Sequence, residues 1–295
     1  MPAPRHRTMP CAPVWLAAAA LVAAVASGLF FFHVGGAPAA YLPLNAASLL
    51  LALIAMFAVS AGRLGGRGAA WVVALCLAGM AATLVSGFDL DGVRRWLPLG
   101  PVRLHAAMLL LPAMIAALPR LPDRWQLAAV AVAAAVAVLQ PDVASALALG
   151  LGFVASHWQR RRAPSIAAGH AVVAIGIIAS AFRADPLAPV RFVENVVADG
   201  WGLHPGIGIL IPAALLFAIG APALMRRLHR DSALGVAGVW TGFAAASLIG
   251  PYPTPLAGYG AAAILGYGLA IAVLRGLPVR DWPRGDGTGR SGEDD

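Results

Sequence analysis

The chain has 295 residues, of which 60% are hydrophobic and 12% are charged. A soluble domain carries roughly a quarter charged residues, so this composition excludes an ordinary soluble enzyme. Its 33 glycines and 23 prolines stand inside apolar runs, which excludes a disordered chain. The net charge of +8 comes from arginine, because the sequence contains no lysine, and the arginines separate apolar segments. This pattern indicates membrane topology and not nucleic-acid binding, and predicts an all-α polytopic integral membrane protein.

Apolar segments that could cross a bilayer core of about 30 Å recur along the whole chain. The run over 125–158 is split at Gln140-Pro141-Asp142, because proline breaks a helix and an acid is costly in lipid. We predict one transmembrane domain over 1–279, followed by a disordered cytoplasmic tail over 280–295. Ten helices are predicted near 12–32, 41–62, 68–88, 104–119, 125–140, 143–158, 164–182, 205–225, 232–250 and 258–275.

The arginines orient these helices. With both chain ends in the cytoplasm, all but five of the 21 arginines fall in inner segments, as the positive-inside rule requires. An alternative is a secretory signal over 1–32, since Arg5 and Arg7 precede the first apolar stretch. Its removal would leave nine spans with the same orientation. The five arginines predicted outside are Arg94, Arg95, Arg103, Arg183 and Arg191.

The first long outer loop, 89–103, carries paired arginines against the topology rule. Two interpretations stay open. Arg94 and Arg95 clamp a phosphate or diphosphate through their planar guanidinium donors, or they pair with the nearby aspartates at the headgroup level while Trp96 anchors the interface.

The second long outer loop, 183–205, carries three carboxylates: Asp185, Glu194 and Asp199. One of them is a candidate general base for an acceptor hydroxyl, and the competing interpretation is a solvated loop with ordinary surface charges. A short amphipathic helical stretch is predicted from the spacing of Phe192, Val193, Val196 and Val197.

Asp142 is the one acid predicted near membrane depth, so we expect a partner, a water-filled cavity or a role as the N-cap of the sixth helix. The histidines are scattered singly and show no metal-ligand spacing, and the sequence has no nucleotide-binding loop. Cys11 and Cys76 are too few for a zinc site or a disulfide framework.

Three segments predicted at the outer face resemble, in order, motifs of the SEDS family (FtsW, RodA and SpoVE). Residues 92–100, GVRRWLPLG, resemble the family's G-x-R-R-W-I-x-L-G loop. Residues 139–146, LQPDVASA, resemble its L-Q-P-D-L-G-T-A segment. Residues 252–262, YPTPLAGYGAA, resemble its I-P-L-P-F-I-S-Y-G-G-S segment. The ten-helix topology with both ends inside also agrees with the family.

The resemblance implies a multi-pass protein of the bacterial inner membrane that serves peptidoglycan synthesis in cell division or cell-shape maintenance. It implies glycosyl transfer from lipid II, a lipid-linked sugar diphosphate, on the outer membrane face beside a transpeptidase (penicillin-binding protein). The implied substrate-binding residues are Arg94, Arg95, Trp96, Gln140, Asp142 and Tyr259. Neither nucleic acid nor a resident cofactor is expected, although a divalent cation at the diphosphate is compatible with this chemistry.

Two family motifs are altered here. The Glu and Lys of the family's Q-P-S-E-x-x-K fall on Met108 and Leu111, and its catalytic aspartate falls on Arg191. Arginine cannot act as a base, so Asp199, Glu194 or Asp185 is expected to take its place, and Asp199 and Glu194 are the catalytic candidates. Two alternatives to an active polymerase stay open: a catalytically degenerate scaffold or regulator of the division or elongation machinery, and a flippase or transporter of a lipid-linked precursor.

Overall fold

The structure is a computed structural model that describes residues 12–85, 88–160, 162–183 and 185–278. The predicted disordered tail, 280–295, and the first residues of the chain lie outside this part. The described residues form an all-α bundle with one small hairpin. Its helices are α1 (Ala12–Gly35), α2 (Tyr41–Ala58), α3 (Gly66–Ala82), α4 (Ala106–Ala117), α5 (Asp123–Leu139), α6 (Val143–His157), α7 (Pro164–Ala181), α8 (Val196–Leu203), α9 (Pro205–Gly220), α10 (Arg226–Ile249) and α11 (Ala261–Gly276).

Each of the ten predicted spans overlaps one of these helices, and α8 is an additional short helix in the second outer loop. Over the described residues, four helical stretches are long and apolar enough to cross a membrane, and three more helices are apolar but shorter. The four are Ala12–Gly35, Tyr41–Ala58, Pro164–Ala181 and the joined stretch Pro205–Ile249.

Gln140-Pro141-Asp142 separates α5 from α6, as the sequence predicts. The side chain of Asp142 accepts a hydrogen bond from the Ser145 amide and so caps α6. The N-cap interpretation of Asp142 is therefore confirmed. Because α4 and α6 both begin at the outer end of the bundle, their first residues lie at the same level.

Small residues allow close helix packing in the centre of the bundle. A Cβ added at Gly242 of α10 would lie 2.4 Å from Ala148 Cα of α6, so only glycine permits this approach. The packing buries the side chains of Trp240 and Tyr267 completely, and Tyr267 Oη donates to the Ala218 carbonyl at 2.9 Å.

The first outer loop folds back on itself as a hairpin in front of α4. Strands β1 (Trp96–Leu99) and β2 (Val102–His105) pair antiparallel, with Trp96 opposite His105. Gly100 opens the two-residue turn with φ of +57°, a conformation that favours glycine. The hairpin therefore places Trp96 and His105 side by side at the start of α4, with ring centroids 6.3 Å apart.

Candidate functional site

A cavity of about 480 Å³ opens at the outer end of the bundle. Its walls come from the first outer loop and hairpin, the second outer loop, the 251–260 segment and the starts of α4 and α11. Four of the predicted site residues line it: Arg95, Trp96, Glu194 and Tyr259. Three segments that are far apart in sequence thus bring a cation, a carboxylate and two aromatic rings to one space.

Arg95 is the fixed cation of this cavity. Its guanidinium donates to Asp185 at 2.8 Å, and the two side chains are only 6% and 12% exposed. The guanidinium carbon also lies 5.0 Å from the ring centroid of Trp96. The buried Nε of Arg95 has no hydrogen-bond partner among the described residues. Arg95 therefore pairs with an aspartate, but with one 90 positions away and not with the neighbouring Asp89 or Asp91 that the loop sequence suggests.

Two carboxylates line the cavity, and Glu194 is the more buried one, since Asp91 is exposed. Glu194 accepts a hydrogen bond from the Val190 amide at 2.5 Å, and its backbone bridges Pro253 of the facing segment. Burial raises the pKa of Glu194, although the Val190 hydrogen bond and the charge of Arg95 act in the opposite direction. A carboxylate with a raised pKa accepts a proton more readily, which suits a general base.

Phe192 explains why Glu194, and not Arg191, faces the cavity. Its ring is 4% exposed and lies among the rings of Phe31, Phe32 and Tyr41, at centroid distances of 5.4, 5.9 and 6.4 Å. The guanidinium of Arg191 turns outward and donates to the Gly35 carbonyl at 3.2 Å. The predicted amphipathic helix over 192–197 is wrong in its start, because the helix begins only at residue 196.

Left-handed backbone causes this late start. Phe192 and Asn195 have φ of +68° and +58°, which breaks helical geometry before α8. The apolar spacing that suggested one helix face is divided between the Phe192 ring in the aromatic cluster and Val196 in the first turn of α8.

Tyr259 closes another side of the cavity. Its ring stacks on Tyr41 of α2 with a centroid distance of 3.5 Å and an interplanar angle of 8°. One turn along α2, Asn45 donates to the Gly258 carbonyl at 3.0 Å and accepts from the Gly260 amide at 3.1 Å. The 251–260 segment is therefore held in place by α2.

The same segment also packs tightly against α1. A Cβ added at Gly28 would lie 2.1 Å from the Ala257 carbonyl oxygen, so a side chain there would collide with backbone. The segment that carries Tyr259 is thus fixed from two helices.

Asp142 is fully buried, and His105 separates it from the cavity. His105 Nε2 lies 3.3 Å from Asp142 Oδ2, and Ser145 Oγ donates to the same oxygen at 2.5 Å. His105 Nδ1 accepts from the Met108 amide at 3.3 Å, which leaves the proton on Nε2 for Asp142. His105 itself lines the cavity, so Asp142 contacts a residue of the cavity wall without lining the cavity.

The His105–Asp142 pair was not predicted from the sequence, in which the histidines stand singly and far from Asp142. The position of the two residues could have indicated the pair. Both stand at the outer start of neighbouring short spans, so the fold places them at the same depth in the bundle. His105 is thus the partner that was expected for Asp142, an acid near membrane depth.

The remaining predicted site residues lie away from the cavity. Arg94 is exposed and pairs with Asp89 at 2.9 Å, as the second interpretation of that loop expects. Gln140 is buried and donates to the Thr83 hydroxyl. Asp199 lies on α8 and is not part of the cavity wall.

Two positions at which the resembling motif of the SEDS family has polar residues carry apolar side chains here. Met108 stands in the cavity wall and Leu111 packs in the apolar core below it, where the family has Glu and Lys. Over the residues that the structure describes, no three His, Cys, Asp or Glu side chains lie close enough together to hold a metal ion. The predictions about cofactors and a divalent cation stay predictions.

No protein-family model matches the sequence, and no curated protein matches it. Solved structures do match. A point mutant of the rod shape determining protein RodA from Thermus thermophilus has a TM-score of 0.65 at 21% identity, covering 90% of this chain and 96% of RodA. The RodA structure without that mutation gives a TM-score of 0.62 at 20% identity, with 90% and 95% coverage.

A chain in a peptidoglycan synthase complex, whose structure concerns the coordination of polymerization and crosslinking, has a TM-score of 0.62 at 18% identity. This match covers 90% of the present chain and 96% of that chain. The protein therefore has the fold of RodA along most of its length. The all-α polytopic membrane fold predicted from the sequence is confirmed.

Proposed function

We propose that this protein is a SEDS-type glycosyltransferase that polymerises lipid II into peptidoglycan strands at the outer face of the bacterial inner membrane. The observation that supports this most strongly is the meeting of Arg95 and Glu194 in one outer cavity, within a fold shared with RodA. Glycosyl transfer from a sugar diphosphate needs a base for the acceptor and a cation for the leaving group.

In the proposed reaction, the Glu194 carboxylate takes the proton from an acceptor sugar hydroxyl. The hydroxyl oxygen then forms a bond to the anomeric carbon of the donor sugar, while the bond from that carbon to the diphosphate breaks. Arg95 balances the negative charge that develops on the departing diphosphate. Trp96 and Tyr259 offer flat apolar surfaces for the sugar rings.

His105 and Asp142 are proposed to position the site. Asp142 holds His105 through Nε2, and His105 opposes Trp96 across the hairpin that follows Arg95. Removing the Asp142 carboxylate would leave His105 free to move at this side of the cavity. Asp142 thus supports the part of the wall that carries Arg95 and Trp96 without touching the substrate itself.

A transpeptidase (penicillin-binding protein) is the proposed partner, because one of the chains with this fold belongs to a peptidoglycan synthase complex. An inner-membrane location is proposed as well, supported by the same resemblance and by the arrangement of the arginines. Division and elongation are both compatible with these features.

The test is polymerisation of purified lipid II by the purified protein, alone and with a candidate transpeptidase. We expect Glu194→Gln to lower the rate by about 10²–10⁴-fold, the usual contribution of a general base. Asp199→Asn is the matched control, because Asp199 lies on the same loop but outside the cavity. Equal losses in the two variants, or full activity of Glu194→Gln, would contradict the proposed base.

The second candidate is an inactive scaffold, which the altered positions Leu111 and Arg191 favour. It predicts that folded wild-type protein binds a transpeptidase and makes no glycan strands under any condition.

A flippase needs a polar path through the bundle. The void lined by Gln140, Ser145 and apolar side chains such as Leu111 has a volume of about 10 Å³, which is about the size of a single water and too small for a lipid headgroup.

A further inference from the structure

A second large concavity lies at the opposite, basic end of the bundle, between α3 and α5. It has a volume of about 610 Å³, within the range of pockets that bind small ligands. Its walls are almost entirely apolar. They include the side chains of Arg67, Val73, Leu77, Trp125, Ala128 and Val132.

The length of this groove matches one leaflet of a membrane. On α3 it runs from Gly66 to Leu77, and on α5 from Pro122 to Val132. At 1.5 Å per residue each wall is roughly 15 Å long, which is half of a hydrocarbon core of about 30 Å. A partner's transmembrane helix would need the full depth, whereas the acyl chain of a single lipid needs one half.

Positive charge stands where the lipid headgroup would lie. Arg67 is exposed in the first turn of α3, and Arg120 forms part of the groove wall. Arg120 is fixed there, because its guanidinium donates to the Pro278 carbonyl at 3.1 Å and bonds His229 Nδ1 at 2.9 Å. The Asp123 carboxylate at the start of α5 is neutralised by Arg160 at 2.6 Å.

Two further features suit a headgroup at this end. The indole of Trp125 is 56% exposed beside the groove, as expected of an aromatic ring at the membrane–water interface. Helix α3 begins at Gly66 without a side-chain cap, so its first amides add positive potential next to Arg67.

We propose that this groove binds one anionic phospholipid of the cytoplasmic leaflet. An acyl chain lies along Val73, Leu77 and Val132, and the lipid phosphate pairs with the Arg67 guanidinium. The charge at one end and the apolar length of one leaflet together select a lipid over a soluble phosphate and over a partner helix. This site is separate from the outer cavity, so it stands whether or not the protein polymerises lipid II.

Native mass spectrometry of the full-length protein in detergent tests the charge preference. Phosphatidylglycerol and phosphatidylcholine with identical acyl chains are titrated against wild type, Arg67→Gln and the control Arg63→Gln, which changes an arginine outside the groove wall. We expect phosphatidylglycerol to bind more tightly to wild type, and Arg67→Gln to lose about fivefold in that affinity. Equal binding of the two lipids, or an equal loss in Arg63→Gln, would overturn the proposal.

A second pair of variants tests the groove itself. Ala128→Phe fills it, and Ala135→Phe places the same ring on an exposed position of α5 outside it. We expect Ala128→Phe to lower binding of both lipids while Ala135→Phe retains it. Both alanines are exposed, and melting temperatures in detergent verify that each variant is folded. Retention of lipid by Ala128→Phe, or displacement by inorganic phosphate, would refute the acyl-chain site.

Discussion

The hydrogen bonds around Asp142 predict a stability defect whose size follows from the structure. Asp142→Ala removes the acceptor for the Ser145 amide at the start of α6 and the acceptor for His105 Nε2. Loss of a helix N-cap costs about 1 kcal/mol, and a buried donor left without an acceptor costs about 1–3 kcal/mol. We therefore expect Asp142→Ala to lose about 2–4 kcal/mol, which lowers the melting temperature by on the order of 5 °C or more.

Thermal unfolding of purified variants in one detergent measures this loss. Asp142→Asn keeps an oxygen that can accept from the Ser145 amide, so its melting temperature should fall less. The double variant His105→Ala/Asp142→Ala removes donor and acceptor together and should be more stable than the sum of the single losses, by about 0.5–3 kcal/mol. A loss below about 0.5 kcal/mol in Asp142→Ala, typical of surface changes, or strict additivity, would refute the reasoning.

Two other predictions concern the cavity and its support. Glu194 must be ionised to accept a proton and burial raises its pKa, so the polymerisation rate should increase with pH through an apparent pKa above the ordinary value for glutamate. If the rate instead rises through an apparent pKa at or below the ordinary value for glutamate, Glu194 is not the base. Gly28→Ala directs a methyl at the Ala257 carbonyl and should cost at least about 1–3 kcal/mol, whereas Gly66→Ala meets nothing within 4 Å. Equal melting temperatures of the two variants would show that α1 can move away freely.

The helices could be predicted because the residues near each helix end determine its boundary. Proline, glycine and arginine interrupt the apolar runs, and Gln140-Pro141-Asp142 separates two short helices that hydropathy alone would join. The positions of the helix ends could therefore be predicted from local composition alone. Asp142 could also be identified as a special position, since an acid near membrane depth requires a partner.

The composition of the cavity depends on contacts that leave no local signal. Arg95 and Asp185 are brought together only by the fold. The choice between Glu194 and Asp199 depends on left-handed backbone at Phe192 and on the aromatic rings from α1 and α2 that bury it. Periodicity predicted a continuous helix there and could not distinguish the carboxylate in the cavity from the one outside it.

The contacts of α2 with the 251–260 segment have a consequence for how this chain tolerates changes in length. Tyr41 and Asn45 lie one turn apart and meet Tyr259 and its flanking glycine backbone. One residue inserted between Tyr41 and Asn45 would rotate these two side chains by about 100° relative to each other, so at most one could keep its contact. An insertion over 59–65, in the loop after α2, would leave both in place. The length of α2 is thus constrained at its outer end by the cavity wall, independently of the bilayer.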